Sequence, residues 1–291
     1  MRIATVLILS VGLVVGCDDN KGNGNGNGAD MAASGGGDDM ARSGGGPDGG
    51  GSTPQLLHLV TDPTLGAHLV DGAGVSLYLF GVDVPGSTGK APVSNCSDAC
   101  LAAWPVFHAD SVAVSSELSA SDFTELTRGD GAKQTAWHGW PLYYYSLDEQ
   151  AGDVMGEGVD GVWFVPKQPF YNVMVRADVA ATIKPFLSDG AGRSLYVFAA
   201  DTRGTGGTPP VSACTMSPCS TSWPAFLQDP ARIPSTLTAS DFTVLTWPNG
   251  TTKQSVYRGH PLYYYGGDSA PGQTNGRGIG GVWDTLDPTA P

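Results

Sequence analysis

The sequence predicts an all-β protein of two tandem homologous domains, each built from two four-stranded repeats. A phrase of the form Tyr-x-aromatic-x-x-Asp occurs four times in the 291 residues, and a Trp follows each copy. Short aromatic and β-branched runs are bounded by Gly, Asp and Pro, and no window has the period of a packed helix. About eight strands per domain are expected, as a small barrel or sandwich. The four repeats could instead form a single four-bladed, propeller-like array.

The repeated phrase supplies the candidate structural residues. Its four copies are Tyr78, Phe80 and Asp83; Tyr143, Tyr145 and Asp148; Tyr196, Phe198 and Asp201; and Tyr263, Tyr265 and Asp268, with Trp104, Trp163, Trp223 and Trp283 behind them. Alternate side chains of a strand point the same way, so the two rings of a copy share one face. The Asp falls at the strand end, where a carboxylate can accept N–H groups of the next loop. We therefore interpret the phrase as structural rather than catalytic.

A half-chain duplication sets the domain boundaries. Ser121-Asp122-Phe123 returns as Ser240-Asp241-Phe242, and Gly161-Val162-Trp163 returns as Gly281-Val282-Trp283. These matches predict domains at about 55–168 and 169–291. A helical turn or two is expected only at 178–184. In the first domain, strands are expected over 56–60, 68–70, 76–80, 105–108, 123–127, 134–138, 141–145 and 161–165.

The N-terminus predicts export followed by lipid anchoring. Arg2 precedes an apolar run over 3–15 that is too short to span a bilayer, and Cys17 follows Val14-Val15-Gly16. This arrangement is typical of a lipoprotein signal peptide over 1–16 with acylation of Cys17. The Gly-rich stretch within 17–54 is expected to be a disordered tether. The expected location is the bacterial cell envelope, on its periplasmic face or outer surface, with the membrane as a partner.

Charge and motifs restrict the function. The net charge is −13 and no basic patch is present, which excludes nucleic acid as an expected partner. No G-x-S-x-G or H-E-x-x-H motif occurs. We therefore expect no enzymatic activity, but a binding or structural module for an unknown ligand or envelope protein. Tyr144 and Tyr264 lie on the strand face opposite the core pair. If exposed they are the best ligand-binding candidates, and if packed they belong to an interface.

The remaining cysteines form two close pairs, Cys96 with Cys100 and Cys214 with Cys219. In an exported protein, such pairs normally form disulfides. Each bond closes a short loop and is worth about 2 kcal/mol on the chain-entropy model.

Two metal sites are weaker alternatives. A reduced Cys96/Cys100 pair could bind Cu(I) or carry out thiol redox chemistry, with Met216 or His108 as a further copper ligand. An acidic loop could bind Ca²⁺, although its spacing is not that of an EF-hand and a solvated loop is expected. The acidic residues of this loop are Glu149, Asp153, Glu157 and Asp160.

Taken together, these motifs resemble a family of bacterial secreted or lipoprotein repeats of unknown function with a Y-x-[FWY]-x-x-D motif. The family's first repeat joins the aromatic phrase to two Cys and Trp-Pro, as in Cys96, Cys100 and Trp104-Pro105. Its second repeat ends in Gly-Val-Trp, as at 161–163. The resemblance spans about 66–286. It implies that each repeat pair folds alone in the cell envelope, and it implies no activity.

Overall fold

A computed structural model describes residues 53–180 and 182–289. The predicted signal peptide, Cys17 and the tether as far as residue 52 lie outside the described residues. The chain from Gly50 onward groups into one compact unit. We call 53–168 the first half and 169–289 the second half; the domain boundary between them stays a prediction. Within the described ranges, no helix is long and apolar enough to cross a membrane.

The two halves have the same order of elements, except that β4 has no counterpart among the described residues of the second half. The first half contains β1 (Gln55–Asp62), β2 (Gly66–Asp71), β3 (Leu79–Phe80), α1 (Ala99–Ala103), β4 (Val112–Val114), β5 (Phe123–Thr127), β6 (Lys133–Trp137), β7 (Trp140–Pro141) and β8 (Trp163–Phe164). The second half contains β9 (Val173–Arg176), β10 (Phe186–Asp189), β11 (Tyr196–Phe198), α2 (Cys219–Ser222), β12 (Phe242–Thr246), β13 (Lys253–Tyr257), β14 (His260–Pro261) and β15 (Trp283–Thr285). Single 3₁₀ turns cover Ala120–Asp122, Val159–Gly161, Ala239–Asp241 and Ile279–Gly281.

The strands form small open sheets. The first half holds β2-β1-β4, β3-β8 and β5-β6-β7. The second half holds the corresponding β10-β9, β11-β15 and β12-β13-β14, with no third strand beside β9 in the first of these sheets. All of these pairs are antiparallel except β1 with β4. The all-β class and the tandem repeats are confirmed. Among the described residues no sheet closes on itself, so the small sheets do not make a barrel.

Tight turns position the strands around the motif residues. His138 and Gly139 both have positive φ (50° and 82°), as a two-residue type I′ hairpin between β6 and β7 requires. Gly139 also lies against Gly86, whose carbonyl oxygen would be 2.7 Å from an added Cβ. The corresponding turn of the second half, Arg258-Gly259, has the same conformation.

One hydrophobic core contains residues from both halves. Leu79 and Trp140 of the first half belong to the same buried cluster as Val175, Leu195 and Leu262 of the second. Two smaller clusters surround the motif rings, one in each half. The halves therefore pack against each other through this shared cluster.

Candidate functional site

The repeated phrases bind one another in reciprocal pairs. The Tyr78 hydroxyl donates to Asp148 Oδ2 (2.6 Å), and the Tyr143 hydroxyl donates to Asp83 Oδ2 (2.8 Å). Each phrase of the first half therefore supplies a donor to the other phrase and receives one from it. The second half repeats the exchange with Tyr196 to Asp268 (2.6 Å) and Tyr263 to Asp201 (2.9 Å).

The same carboxylates also hold the loops that follow them. Asp83 Oδ1 accepts the backbone N–H of Asn95 (2.7 Å), and Asp148 Oδ1 accepts that of Met155 (2.9 Å). Each carboxylate thus accepts a backbone N–H of the loop that follows its strand. The corresponding bonds of the second half run from Ala213 to Asp201 (2.7 Å) and from Asn275 to Asp268 (3.1 Å).

Burial changes the protonation of the paired groups. The pKa of the fully buried Asp83 is raised from 3.8 to about 7 by loss of solvent, although its hydrogen bonds and Arg176 oppose the shift. Burial likewise raises the pKa of Asp201 to about 6. The pKa values of Tyr78 and Tyr143 rise well above their usual range, first through burial and then through the partner carboxylates. The hydroxyls therefore remain protonated donors.

The aromatic residues of each half form a stack of four rings. Phe80 stacks on Trp163 (4.1 Å between centroids), Trp163 on Trp104 (3.7 Å) and Trp104 on Tyr145 (4.2 Å). The two inner indoles are buried, whereas the two end rings are half-buried. The second half has the same series, Phe198, Trp283, Trp223 and Tyr265, with spacings of 4.2, 3.7 and 4.4 Å.

Both cysteine pairs are closed disulfides. Cys96 is bonded to Cys100 with Cα atoms 5.3 Å apart, and Cys214 is bonded to Cys219 at 5.4 Å. Each bond ties down a short helix whose C-cap is the Trp of the ring stack. The disulfides thus fix the direction from which the indole enters the stack.

The residues considered for copper have other contacts. With Cys96 and Cys100 bonded to each other, neither sulfur is a thiolate. His108 Nε2 lies 3.1 Å from Glu125, and the Met216 side chain is exposed. The structure brings no three His, Cys, Asp or Glu side chains together as a metal site in the part of the chain that it describes.

The acidic loop uses its carboxylates internally. Asp153 Oδ2 accepts the N–H groups of Glu149 and Gln150, and Glu157 Oε2 accepts that of Val165 (2.6 Å). Asp153 satisfies N–H groups of the loop and Glu157 satisfies that of Val165 beyond it, so the sequence alternative of a calcium loop gains no support from these two carboxylates.

Tyr144 and Tyr264 are half-buried and hydrogen-bonded. The Tyr144 hydroxyl donates to Asp71 Oδ2 (2.9 Å), and the Tyr264 hydroxyl donates to Asp189 Oδ2 (2.9 Å). The sequence reasoning missed both carboxylates. The tetrapeptide Asp-Gly-Ala-Gly, which occurs at 71–74 and again at 189–192, is the signal that could have identified them.

Only Tyr264 of this pair lines a cleft, which has a volume of about 420 Å³. The first half contributes His138, whose ring lies 4.7 Å from that of Phe170, and burial lowers the pKa of this histidine. The remaining lining residues belong to the second half: Phe170, Tyr171, Asn172, Asp189, Gly190, Ala191, Gln228, Arg232 and Tyr264. Aromatic rings beside carboxylate, amide and guanidinium groups suit a polar ligand with a ring.

Comparison with known proteins identifies the class. Residues 59–108, 124–167 and 245–287 match the family described as a secreted repeat of unknown function. These three segments match the same repeat, and the match indicates a protein of the extracellular space or cell envelope. No curated protein matches the chain. No solved structure matches it either.

Proposed function

We propose that this protein is a lipid-anchored, non-catalytic binding module of the bacterial cell envelope. The observation that supports it best is the reciprocal Tyr–Asp pairing. The polar groups that recur in every repeat donate to or accept from one another and from loop N–H groups. They therefore account for the repeated motif without any catalytic step.

We place ligand binding at the cleft beside Tyr264. A larger cavity of about 520 Å³ lies in the first half, but its lining includes only one ring, that of His138. The cleft instead combines the rings of His138, Phe170 and Tyr264 with polar side chains in the same lining. Such a lining favours an uncharged sugar ring of an envelope polysaccharide, which presents apolar faces and many hydroxyls.

A matched pair of variants tests this site. Tyr264→Leu and Tyr144→Leu each remove a tyrosine that donates to an Asp of the repeated tetrapeptide, but only Tyr264 lines the cleft. On an array of bacterial envelope glycans, we expect Tyr264→Leu to weaken binding about tenfold, or about 1.4 kcal/mol. Tyr144→Leu should bind as the unaltered protein does. No retained glycan, or equal losses in both variants, would contradict the site.

The lipid anchor is tested separately. Acylation of Cys17 should hold the protein in the membrane fraction after a high-salt wash, because buried acyl chains are insensitive to salt. Cys17→Ser should move the protein to the soluble fraction. An unchanged distribution would argue against the anchor while leaving the cleft proposal intact.

A further inference from the structure

The two halves meet through an edge strand that fills a groove. Strand β9 of the second half lies beside β3 and β8 of the first half, and the Ala177 N–H donates to the Gly81 carbonyl (3.3 Å). Arg176, the last residue of β9, also lies in the groove. Its Nη2 donates to the Asp83 carbonyl (2.6 Å), and its guanidinium lies 5.3 Å from the Trp140 ring. The indole of Trp140 donates to the Gly190 carbonyl (2.8 Å).

This contact requires a glycine in the groove. A Cβ on Gly81 would lie 2.5 Å from the carbonyl oxygen of Val175, which is a backbone atom that cannot swing aside. Only glycine allows two backbones to approach this closely. Gly81 is consequently a requirement of the docking geometry.

The second half has the same groove without a strand in it. Ala199 takes the place of Gly81, since its N–H donates to Val282 (2.8 Å) as that of Gly81 donates to Val162 (2.7 Å). Val282 is 39 % exposed, whereas Val162 is 7 % exposed. The uncovered groove has a volume of about 360 Å³.

Five lining residues of the open groove differ from their counterparts in the first half. Val197 replaces Leu79 and Arg203 replaces Pro85, and the other three differences bear directly on docking. Besides the alanine at 199, His260 stands where the first half has the buried Trp140. Asp284 stands in place of the buried Phe164, and its carboxylate accepts from Arg277 Nε (2.7 Å). The methyl group blocks close backbone approach, and the polar side chains remove the apolar surface that β9 covers in the first half.

A strand that could enter this groove exists in every copy of the chain. Leu59, Val60 and Thr61 of β1 correspond to Val175 and Arg176 of β9 and to Ala177 directly after it, because both strands pair in the same register with the next strand. Leu59 and Val60 are half-exposed and Thr61 is exposed. A docking strand at one end and a groove at the other could join copies head to tail. Such a contact does not close and leads to chains.

We propose that the second half is an end cap, in which Ala199, His260 and Asp284 exclude β1 of a second copy of this protein. Terminal repeats generally need such a polar outer surface to remain soluble. This inference concerns self-association and does not depend on the proposed ligand site.

The test places the first half's residues at these three positions of the second half. Ala199→Gly, His260→Trp and Asp284→Phe are combined with Val60→Arg, which copies Arg176. In sedimentation equilibrium the unaltered protein should be a monomer, and the variant should show a mass that at least doubles with rising concentration. Adding Thr61→Pro, which removes an edge N–H, should return the variant to a monomer. A variant that has the circular dichroism spectrum of the folded protein yet stays monomeric would overturn the end-cap proposal.

Gly81→Ala in the otherwise unaltered protein tests the same steric block in the first half, where β9 already fills the groove. The added methyl group should lower the melting temperature, because it forces β9 away from the groove. An unchanged melting temperature would show that a methyl group is no obstacle there, and the role given to Ala199 would be wrong.

Discussion

Asp83 shows how the repeated motif works at the scale of single residues. Its carboxylate is completely buried, and it accepts from Tyr143 and from the Asn95 N–H. Arg176 reaches its backbone carbonyl rather than the carboxylate. The group is thus a buried hydrogen-bond acceptor whose charge is disfavoured, which is a structural role.

The raised pKa of Asp83 predicts that the protein is more stable in mild acid. The folded-state pKa of about 7 lies above the ordinary 3.8, so the folded state holds the proton longer than the unfolded state. The stabilisation is complete below pH 3.8 and is lost as the pH rises through about 7. We expect Asp83→Asn to reduce the change in the free energy of unfolding between mild acid and neutral pH by a few kcal/mol. Each pKa unit corresponds to about 1.4 kcal/mol.

Urea unfolding between pH 4 and 7 checks this prediction. Asp98→Asn is the control, because it makes the same chemical change at an exposed carboxylate. An Asp83→Asn variant whose stability follows pH as steeply as the control would contradict the assigned burial effect.

Sequence reasoning identified the motif residues but not all of their partners. The four copies of Tyr-x-aromatic-x-x-Asp indicated a structural role because a catalytic group need not recur at four places. The exchange between Tyr78 and Asp148 could not be predicted, since it depends on two strands that are distant in the chain meeting side by side. Arg176 gave no repeat signal, because the first half has Val60 at the corresponding position.

At the scale of elements, the disulfide, the short helix and the ring stack form one unit. Cys100 lies in α1, whose last residue precedes Trp104, and that indole stacks on Trp163. The helix spans only five residues, too few to produce an apolar period in the sequence. This is why α1 and α2 were not predicted.

The stacked indoles predict a spectroscopic signal. Trp104 and Trp163 are nearly parallel (1°) with centroids 3.7 Å apart, close enough for their electronic transitions to couple. We expect Trp104→Phe to remove about half of the coupled far-ultraviolet dichroism, since the second half retains its own pair. Trp104→Phe with Trp223→Phe should abolish it. A spectrum unchanged by both substitutions would contradict the stacks.

Strand prediction succeeded where pairing is local and failed where it is long-range. The strand at 123–127 was predicted at its observed bounds, because it pairs with its hairpin neighbour β6. Of the strand expected at 141–145, only Pro141 lies in a strand, at the end of β7. Tyr143 instead makes single bridges with Tyr78 and Val106. The segment 178–184 has no helix among its described residues; Asp178 there accepts the Thr182 N–H.

At the scale of the whole molecule, the halves share a core as well as a docked strand. Trp140 is completely buried, and its indole bonds to Gly190 of the other half. The expectation that each repeat pair folds alone therefore has a direct test in the separated halves.

Residues 55–168 expressed alone should be less stable than the full chain. Without the second half, the Trp140 indole loses its acceptor and the surrounding core becomes exposed, which costs apolar burial at about 25 cal/mol per Å². We expect a lower urea midpoint for this fragment and one cooperative transition for the full chain. Equal midpoints would show that each half is an independent domain, as the sequence analysis predicts.

The most direct test of the proposed function is the intact mass of the mature protein, extracted from membranes and alkylated without reduction. A lipid-anchored binding module predicts a chain that begins at an acylated Cys17 and carries no alkyl label on its other four cysteines. Label on Cys96 and Cys100 would show an open dithiol and would favour copper or redox chemistry instead. A Cys17 without lipid would contradict the anchor.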